Sequence, residues 1–350
     1  MGRNLIVIWN LACAAWVAAP ILSFWKGANT QVSQMVWWIL ASILVIGCST
    51  FKKVERDVEG IQLFILAAIA VFVAHGFFLY TETTFAFGSA WLLKVSVIMS
   101  AAILIAQRES WHNLFKYLQL CLVFQIPILL VQKMNMNNPW GSAHGTLGTR
   151  AGVGILAAYI AVNSKGISSW IGTAMSVIST SMAGLIPAVA NRIWGFKKYR
   201  LAISLATLIV LFNMPMQARA SSRFEAWSSL SFLKRGWMTG WGFLPMAGTF
   251  RLDADNGKAW ASVRFTDYHS TFLDWIARFG LIGVLAISPL MLWIAQRTFH
   301  QPDSWKVWNL FLALFAGMVQ SAEGILVMVL LGLMWFMRLN EEDSRVHTLA

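Results

Sequence analysis

Charge is what this sequence has least of. Asp, Glu, Lys and Arg make up 12% of its 350 residues, against 58% hydrophobic residues. A soluble chain of this length needs far more charge to cover its surface. That excludes a soluble enzyme or binding module and implies a polytopic membrane protein. Acidic residues are the scarcer kind, 15 against 27 basic, which leaves a formal net charge of +12. In a soluble chain this balance would point to nucleic acid. In a membrane chain the cytoplasmic loops absorb it, so no nucleic-acid partner is read. Cysteine is nearly absent: Cys13, Cys48 and Cys121 all lie inside apolar runs and read as packing residues, not a disulfide framework or metal site. There is no Cys/His cluster, Walker loop or Rossmann fingerprint, so neither metal nor nucleotide cofactor is implied. Internal repeats and low-complexity tracts are missing too.

What is present is hydrocarbon in long runs. The first, Asn4–Trp25, is about 22 residues, too long for a signal-peptide core and without a cleavage site, so it reads as a retained span. Further spans are Val32–Ser49, Gly60–Tyr80, Phe85–Ala106, Leu114–Val131, Ala151–Asn163, Leu201–Met216 and Ser270–Ala295. The interval Ile167–Ile193 carries Ser179-Thr180-Ser181 and Gly184 with Pro187, and proline lacks a backbone donor. It is expected to split into helices at about 168–181 and about 183–194. The tract Trp305–Met337 exceeds the ~20 residues of one span and is expected to break at Gln320–Gly324. The expectation is therefore an all-α membrane protein with about twelve transmembrane helices, a single domain over 1–350. Nineteen Trp residues suit it, since Trp settles at the membrane–water interface.

Charge tests the count. With the N-terminus inside, the cytoplasmic segments receive Arg3, Lys52, Lys53, Arg56, Arg108, Lys116, Lys165, Arg192, Lys197, Lys198, Arg200, Arg297, Lys306, Arg338 and Arg345. The short external loops receive only Lys26, Lys133 and Arg150. Leaving Ile167–Ile193 unsplit would reverse every later loop, so the positive-inside rule favours the split. On this topology the long polar loop 217–268 faces outward, into the periplasm where the envelope has one.

That loop gathers Arg219, Arg223, Lys234, Arg235, Arg251, Lys258 and Arg264, and it ends in Asp267-Tyr268-His269 where an apolar helix begins. Cations concentrated in one external loop suit an anionic substrate. Ser222-Arg223-Phe224-Glu225 has the spacing of a capping box, and a short helix over about 223–235 is expected, stopping at Gly236. It would lie in the interface with Arg223, Trp227, Leu230 and Lys234 on one face. Those cations either reach phosphates or simply snorkel from a surface helix. His269 stands at a helix N-terminus with Asp267 as its N-cap, where the helix dipole disfavours protonation. A neutral imidazole can take a hydroxyl proton, or it can be structural. His75, Lys94, Glu323 and the pair Asp274/Arg278 are the other ionisable groups in or near spans.

Three stretches, in order, resemble the O-antigen ligase superfamily, which includes polysaccharide polymerases and protein O-oligosaccharyltransferases. Gly145-Thr146-Leu147-Gly148 before the helix Ala151–Asn163 resembles the family's Gly-Thr-Phe-Gly opening. Ser222-Arg223-Phe224-Glu225-Ala226-Trp227 with Gly240-Trp241-Gly242 is similar to its Ser-Gly-Arg…Trp…Gly-x-Gly segment. His269-Ser270-Thr271-Phe272-Leu273 with Gly280-Leu281-Ile282-Gly283 is similar to its His-Asn-x-x-Leu…Gly-Leu-Ile-Gly segment. The likeness covers about 145–285; the first 140 residues match only as spans. The chain departs from the pattern at Ser181-Met182-Ala183-Gly184, where the family has Ser-Arg-Gly, at Ser270 in place of Asn, and at Arg278 where Glu is common.

The resemblance implies glycan transfer from undecaprenyl-diphosphate to an acceptor hydroxyl at the periplasmic face of the bacterial inner membrane, without metal or cofactor. The acceptor would be lipid A-core, a growing polysaccharide or a protein hydroxyl. It implies Arg223 and His269 as the catalytic residues and Arg223 on the diphosphate, with either Arg150 or Arg264 for the missing arginine; Lys234, on the helix face expected for Arg223, is a further candidate to bind the diphosphate. A transporter or flippase for an anionic lipid-linked sugar is the alternative of another class, although such a protein is expected to show repeat-related halves. The topology makes a direct prediction. Cysteines placed singly at Ser228 and Lys197 should react with an impermeant reagent at Ser228 only, and labelling at Lys197 alone would invert the arrangement.

Overall fold

The computed structural model describes residues 3–22, 30–54, 60, 62, 65, 82–136, 150–195, 238, 271–301, 305, 307–313 and 325–347. Among these the fold is all-α. The helices are α1 (Arg3–Ala18), α2 (Thr30–Cys48), α3 (Glu82–Arg108), α4 (Trp111–Val123), α5 (Gln125–Met134), α6 (Arg150–Asn163), α7 (Gly166–Ser179), α8 (Met182–Gly195), α9 (Thr271–Phe299) and α10 (Ile325–His347). Residues 307–313 are helical as well. The expected spans Gly60–Tyr80 and Leu201–Met216, the interfacial helix at 223–235 and the break at 320–324 lie outside the described residues, save for positions 60, 62 and 65.

Several boundaries differ from expectation for identifiable reasons. The first helix ends at Ala18 and not Trp25, because Pro20 cannot donate and disfavours helical backbone before it. The expected span Leu114–Val131 is longer, running from Trp111 to Met134 across a shallow joint at Phe124, whose backbone stays helical at φ −64°, ψ −19°. Ile167–Ile193 does split, but at Thr180, whose φ of 51° is left-handed. Pro187 lies inside α8 and does not cause the break. Ser181 restarts the chain by accepting from Gly184 N and Leu185 N at 3.1 and 2.7 Å. Among the described residues two runs, Trp111–Met134 and Gly280–Phe299, are long and apolar enough to cross a membrane, by length and composition.

The helices bury one apolar face and expose another. On α2, Trp38, Ala41, Ser42, Val45 and Cys48 point inward while Val36, Trp37, Leu40, Ile43, Leu44 and Ile46 are exposed. α1 exposes Ile6, Val7, Ile8 and Leu11, and α9 exposes Leu281, Val284, Leu285, Met291 and Leu292. A helix on the surface of a soluble protein carries polar residues on that outer face. Inside, α6 is the central rod, buried without interruption from Val153 to Ala161.

Direction along the bundle follows from three contacts. Ser176 Oγ of α7 donates to Gly154 O of α6 at 3.2 Å, and Ser169 Oγ donates to Ala161 O, so α6 and α7 are antiparallel. Gly184 in the first turn of α8 meets Gly154 near the start of α6, so α6 and α8 are parallel, with their N-termini side by side.

The opposite end is tied by a buried carboxylate. Glu109, between α3 and α4, is 1% exposed. Its Oε2 accepts from Trp9 Nε1 at 2.9 Å and Lys52 Nζ at 3.3 Å; its Oε1 accepts from Ser110 N and Asn113 Nδ2. Arg108 Nη1 donates to Lys52 O at 2.7 Å. Beside it Trp111 N donates to Glu341 Oε1 of α10 at 2.6 Å, Trp111 Nε1 donates to Tyr159 OH of α6, and Arg338 lies 4.7 Å over the Trp111 ring. Four segments of the chain meet on Glu109 and Trp111. Removing one partner of a buried ion pair typically costs about 3–5 kcal/mol. Glu109→Ala should therefore lower the thermal midpoint in detergent well beyond Glu109→Gln, which keeps an acceptor oxygen. Equal midpoints for Glu109→Ala and the unaltered chain would remove this role.

Candidate functional site

Of the residues singled out by sequence, Arg150 is described: it is the first residue of α6. Arg223, Lys234, Arg264 and His269 lie outside the described residues. His269 precedes α9 by two positions in the chain. The structure therefore bears on Arg150 and on the described helices.

The frame is built at the paired N-termini of α6 and α8. A Cβ on Gly154 would fall 2.6 Å from Ser181 Cβ, and one on Gly184 would overlap the carbonyl of Gly154. The two helices touch through backbone, as small residues allow in apolar bundles. Farther along, a Cβ on Gly172 would lie 2.6 Å from Ala157 O and 2.7 Å from Ala161 N, so α7 seats against α6 in the same way. Hydroxyls line this seam. Ser176 Oγ lies 3.0 Å from Gly172 O and Ser179 Oγ donates to Ser176 O at 2.8 Å, while Ser181 N donates to Ser179 Oγ at 3.4 Å. Each hydroxyl thus finds a partner without water.

A helix start leaves its first N–H groups without intrahelical acceptors and carries the positive end of the dipole. Two such starts side by side, one headed by an arginine, make a place suited to an anion. Arg150 is one helical turn before Gly154, and Met182 follows Ser181, so the segments bearing Arg150 and Met182 are neighbours. Between them they are 32 positions apart in sequence.

The cations at the other end are distributed differently. Arg192 donates to Thr173 Oγ1 at 3.2 Å and lies 4.4 Å over the Trp170 ring, at the end where α7 begins. Asn163 and Asn309 exchange hydrogen bonds at 2.9 and 3.1 Å there, and Trp194 packs edge-on to Trp308. The span within α9 finishes nearby, with Trp293 against Phe336 of α10 and Arg297 in its last turn. At 1.5 Å per residue, its start at Gly280 is about 30 Å back along its axis.

Two features were not read from sequence. The Gly154–Gly184 contact has a sequence signal, glycines in apolar helices, but the pattern of one helix does not name its partner. The hydrogen bond from Ile282 N to Met238 O, 3.1 Å, had none. The chain matches no family model and no curated protein.

The close contact yields a stability prediction. Overpacking of this kind costs about 1–3 kcal/mol, so Gly184→Ala should lower the thermal midpoint, whereas Gly332→Ala, in open space, should not. If the two variants melt together, α6 and α8 are not in backbone contact.

Proposed function

We propose that this chain is a polytopic membrane glycosyltransferase that moves a glycan from undecaprenyl-diphosphate to an acceptor hydroxyl, in the manner of an O-antigen ligase. The observation that carries the reading is the meeting of two segments. The stretch Gly145–Gly148 runs into α6, the stretch Ser181–Gly184 opens α8, and α6 and α8 touch at Gly154 and Gly184. The first stretch belongs to the family resemblance; the second is where the chain departs from it, with Met182 in place of the family's arginine, and the fold sets that gap beside the start of α6, which Arg150 heads.

Membrane insertion is supported by the outward hydrocarbon of α1, α2 and α9, since contiguous exposed apolar surface of this extent is rare on soluble monomers. Twelve spans remain the proposed count. Lys52, Arg108, Arg192, Arg297 and Arg338 gather at the Glu109 end, which is the cytoplasmic side on the positive-inside rule. The paired N-termini and loop 217–268 then belong to the periplasmic face of the inner membrane.

In the proposed reaction the acceptor oxygen attacks the anomeric carbon. The bond from that carbon to the diphosphate oxygen breaks, and undecaprenyl-diphosphate leaves with the electron pair. His269 takes the acceptor proton. Arg223 grips the diphosphate in bidentate fashion, and Lys234 adds charge. Of the two replacements for the missing arginine, Arg150 is favoured over Arg264, because it heads α6 beside the helix that begins at Met182. The acceptor, whether lipid A-core, polysaccharide or protein hydroxyl, is left open by this chemistry. The broken α9 is a feature that a flippase for a lipid-linked sugar would share.

The assay is purified protein with a lipid-linked glycan and an acceptor. His269→Ala should lose roughly 10²–10⁴-fold in rate, the usual worth of a positioned proton acceptor. Arg150→Ala should weaken carrier use, and Met182→Arg in that background should restore part of it. Wild-type rate in His269→Ala rules out the histidine mechanism. Carrier that crosses a vesicle bilayer with its glycosyl–phosphate bond intact identifies a flippase.

A further inference from the structure

Gly280 sits within α9 at φ 59° and ψ −158°. This is neither the helical well nor the left-handed well that Asn tolerates; it is open in practice to glycine alone. The backbone leaves the helix there, so α9 is two helices: a short one over 271–279 and the 20-residue run Gly280–Phe299. The start of the second helix frees its first N–H groups, and an unpaired N–H in hydrocarbon is costly. One of them, Ile282 N, donates to the carbonyl of Met238 at 3.1 Å. Met238 belongs to the polar loop, two residues before Gly240-Trp241-Gly242. A loop carbonyl thus completes the first turn of a span.

We infer that Gly280 and the Met238 carbonyl form a positioning joint for the transfer site. The glycine gives the short helix that follows His269 a direction independent of the span. The Met238–Ile282 bond pins the arginine-bearing loop to the same point. Loop and histidine helix are thereby referred to one place in the backbone, which is what two groups acting on opposite ends of one glycosyl–phosphate bond require. The purpose of the joint rests on the glycosyl-transfer reading; its existence does not.

The test pairs a structural readout with a catalytic one, in membranes. Met238→Cys with Leu281→Cys places thiols on the bonded segments, while the native Cys13, Cys48 and Cys121 are buried. A short bifunctional thiol reagent should link the pair, read as a linked peptide by mass spectrometry. Gly280→Ala and Gly280→Asn should each cut the linking several-fold and, without the added thiols, slow transfer at least ten-fold with little change in the KM for carrier. Ile282→Pro removes the donor and restrains Leu281, at a first-turn position where proline is tolerated, and should give the same losses with Gly280 intact. It decides the matter if the Gly280 variants fail to insert.

No cross-link in the chain with Gly280 overturns the joint. So does full linking and transfer in Gly280→Ala or in Ile282→Pro. Recovery by Asn of what Ala loses makes the site an ordinary left-handed turn and overturns it too. If no chain transfers glycan yet linking still depends on Gly280, the joint stands and the transfer reading falls.

Discussion

Everything at the centre of this bundle depends on α6 and α8 meeting through backbone. In the bilayer proposed for this chain there is no water to expel between helices, so association would rest on van der Waals contact and interhelical hydrogen bonds. Gly154, Gly172 and Gly184 bring three helices close enough for both. The hydroxyls of Ser169 and Ser176 can then reach carbonyls on the neighbouring helix, which longer separations would forbid. The same contact sets the N-termini of α6 and α8 side by side, so the packing constraint and the anion-suited end are one arrangement.

The two ends of the molecule use charge in opposite ways. Around Glu109 the cations are consumed by structure: Lys52 meets the carboxylate, Arg108 a carbonyl, Arg338 and Arg192 tryptophan faces. At the other end, Arg150 heads α6 beside the start of α8. The proposed bilayer would make both patterns intelligible. Charge at the edge of hydrocarbon is either neutralised by close partners or turned to the aqueous side, where it can meet a substrate.

Hydropathy made the helices legible, because a run of apolar residues must be helical if its backbone is to be satisfied in lipid. α2, α3, α6 and α7 fall within a few residues of expectation for that reason. The split at Ser179-Thr180-Ser181 was legible through charge, since Arg192 would otherwise change sides. Local backbone chemistry was harder. Pro187 drew attention as a breaker, yet the turn is made by Thr180 with hydroxyls from its neighbours. Gly280 was noticed as part of a motif, but a single glycine in an apolar run does not announce a φ of 59°. Of the site residues, Arg150 could be followed into the fold as the head of α6. For Arg223, Lys234, Arg264 and His269, which lie outside the described residues, sequence remains the source of their assignment.

The bond between Trp111 N and Glu341 joins positions 230 residues apart. Chains are made from the N-terminus, so α4 is threaded into place long before α10 exists. During that interval the first turn of α4 has its own cap from Ser110 on Asn113 N, yet the amide of Trp111 has no Glu341 to receive it. α10 therefore acts as a closing bolt. Its arrival locks a corner whose other members, Trp9, Lys52 and Glu109, are made well before it.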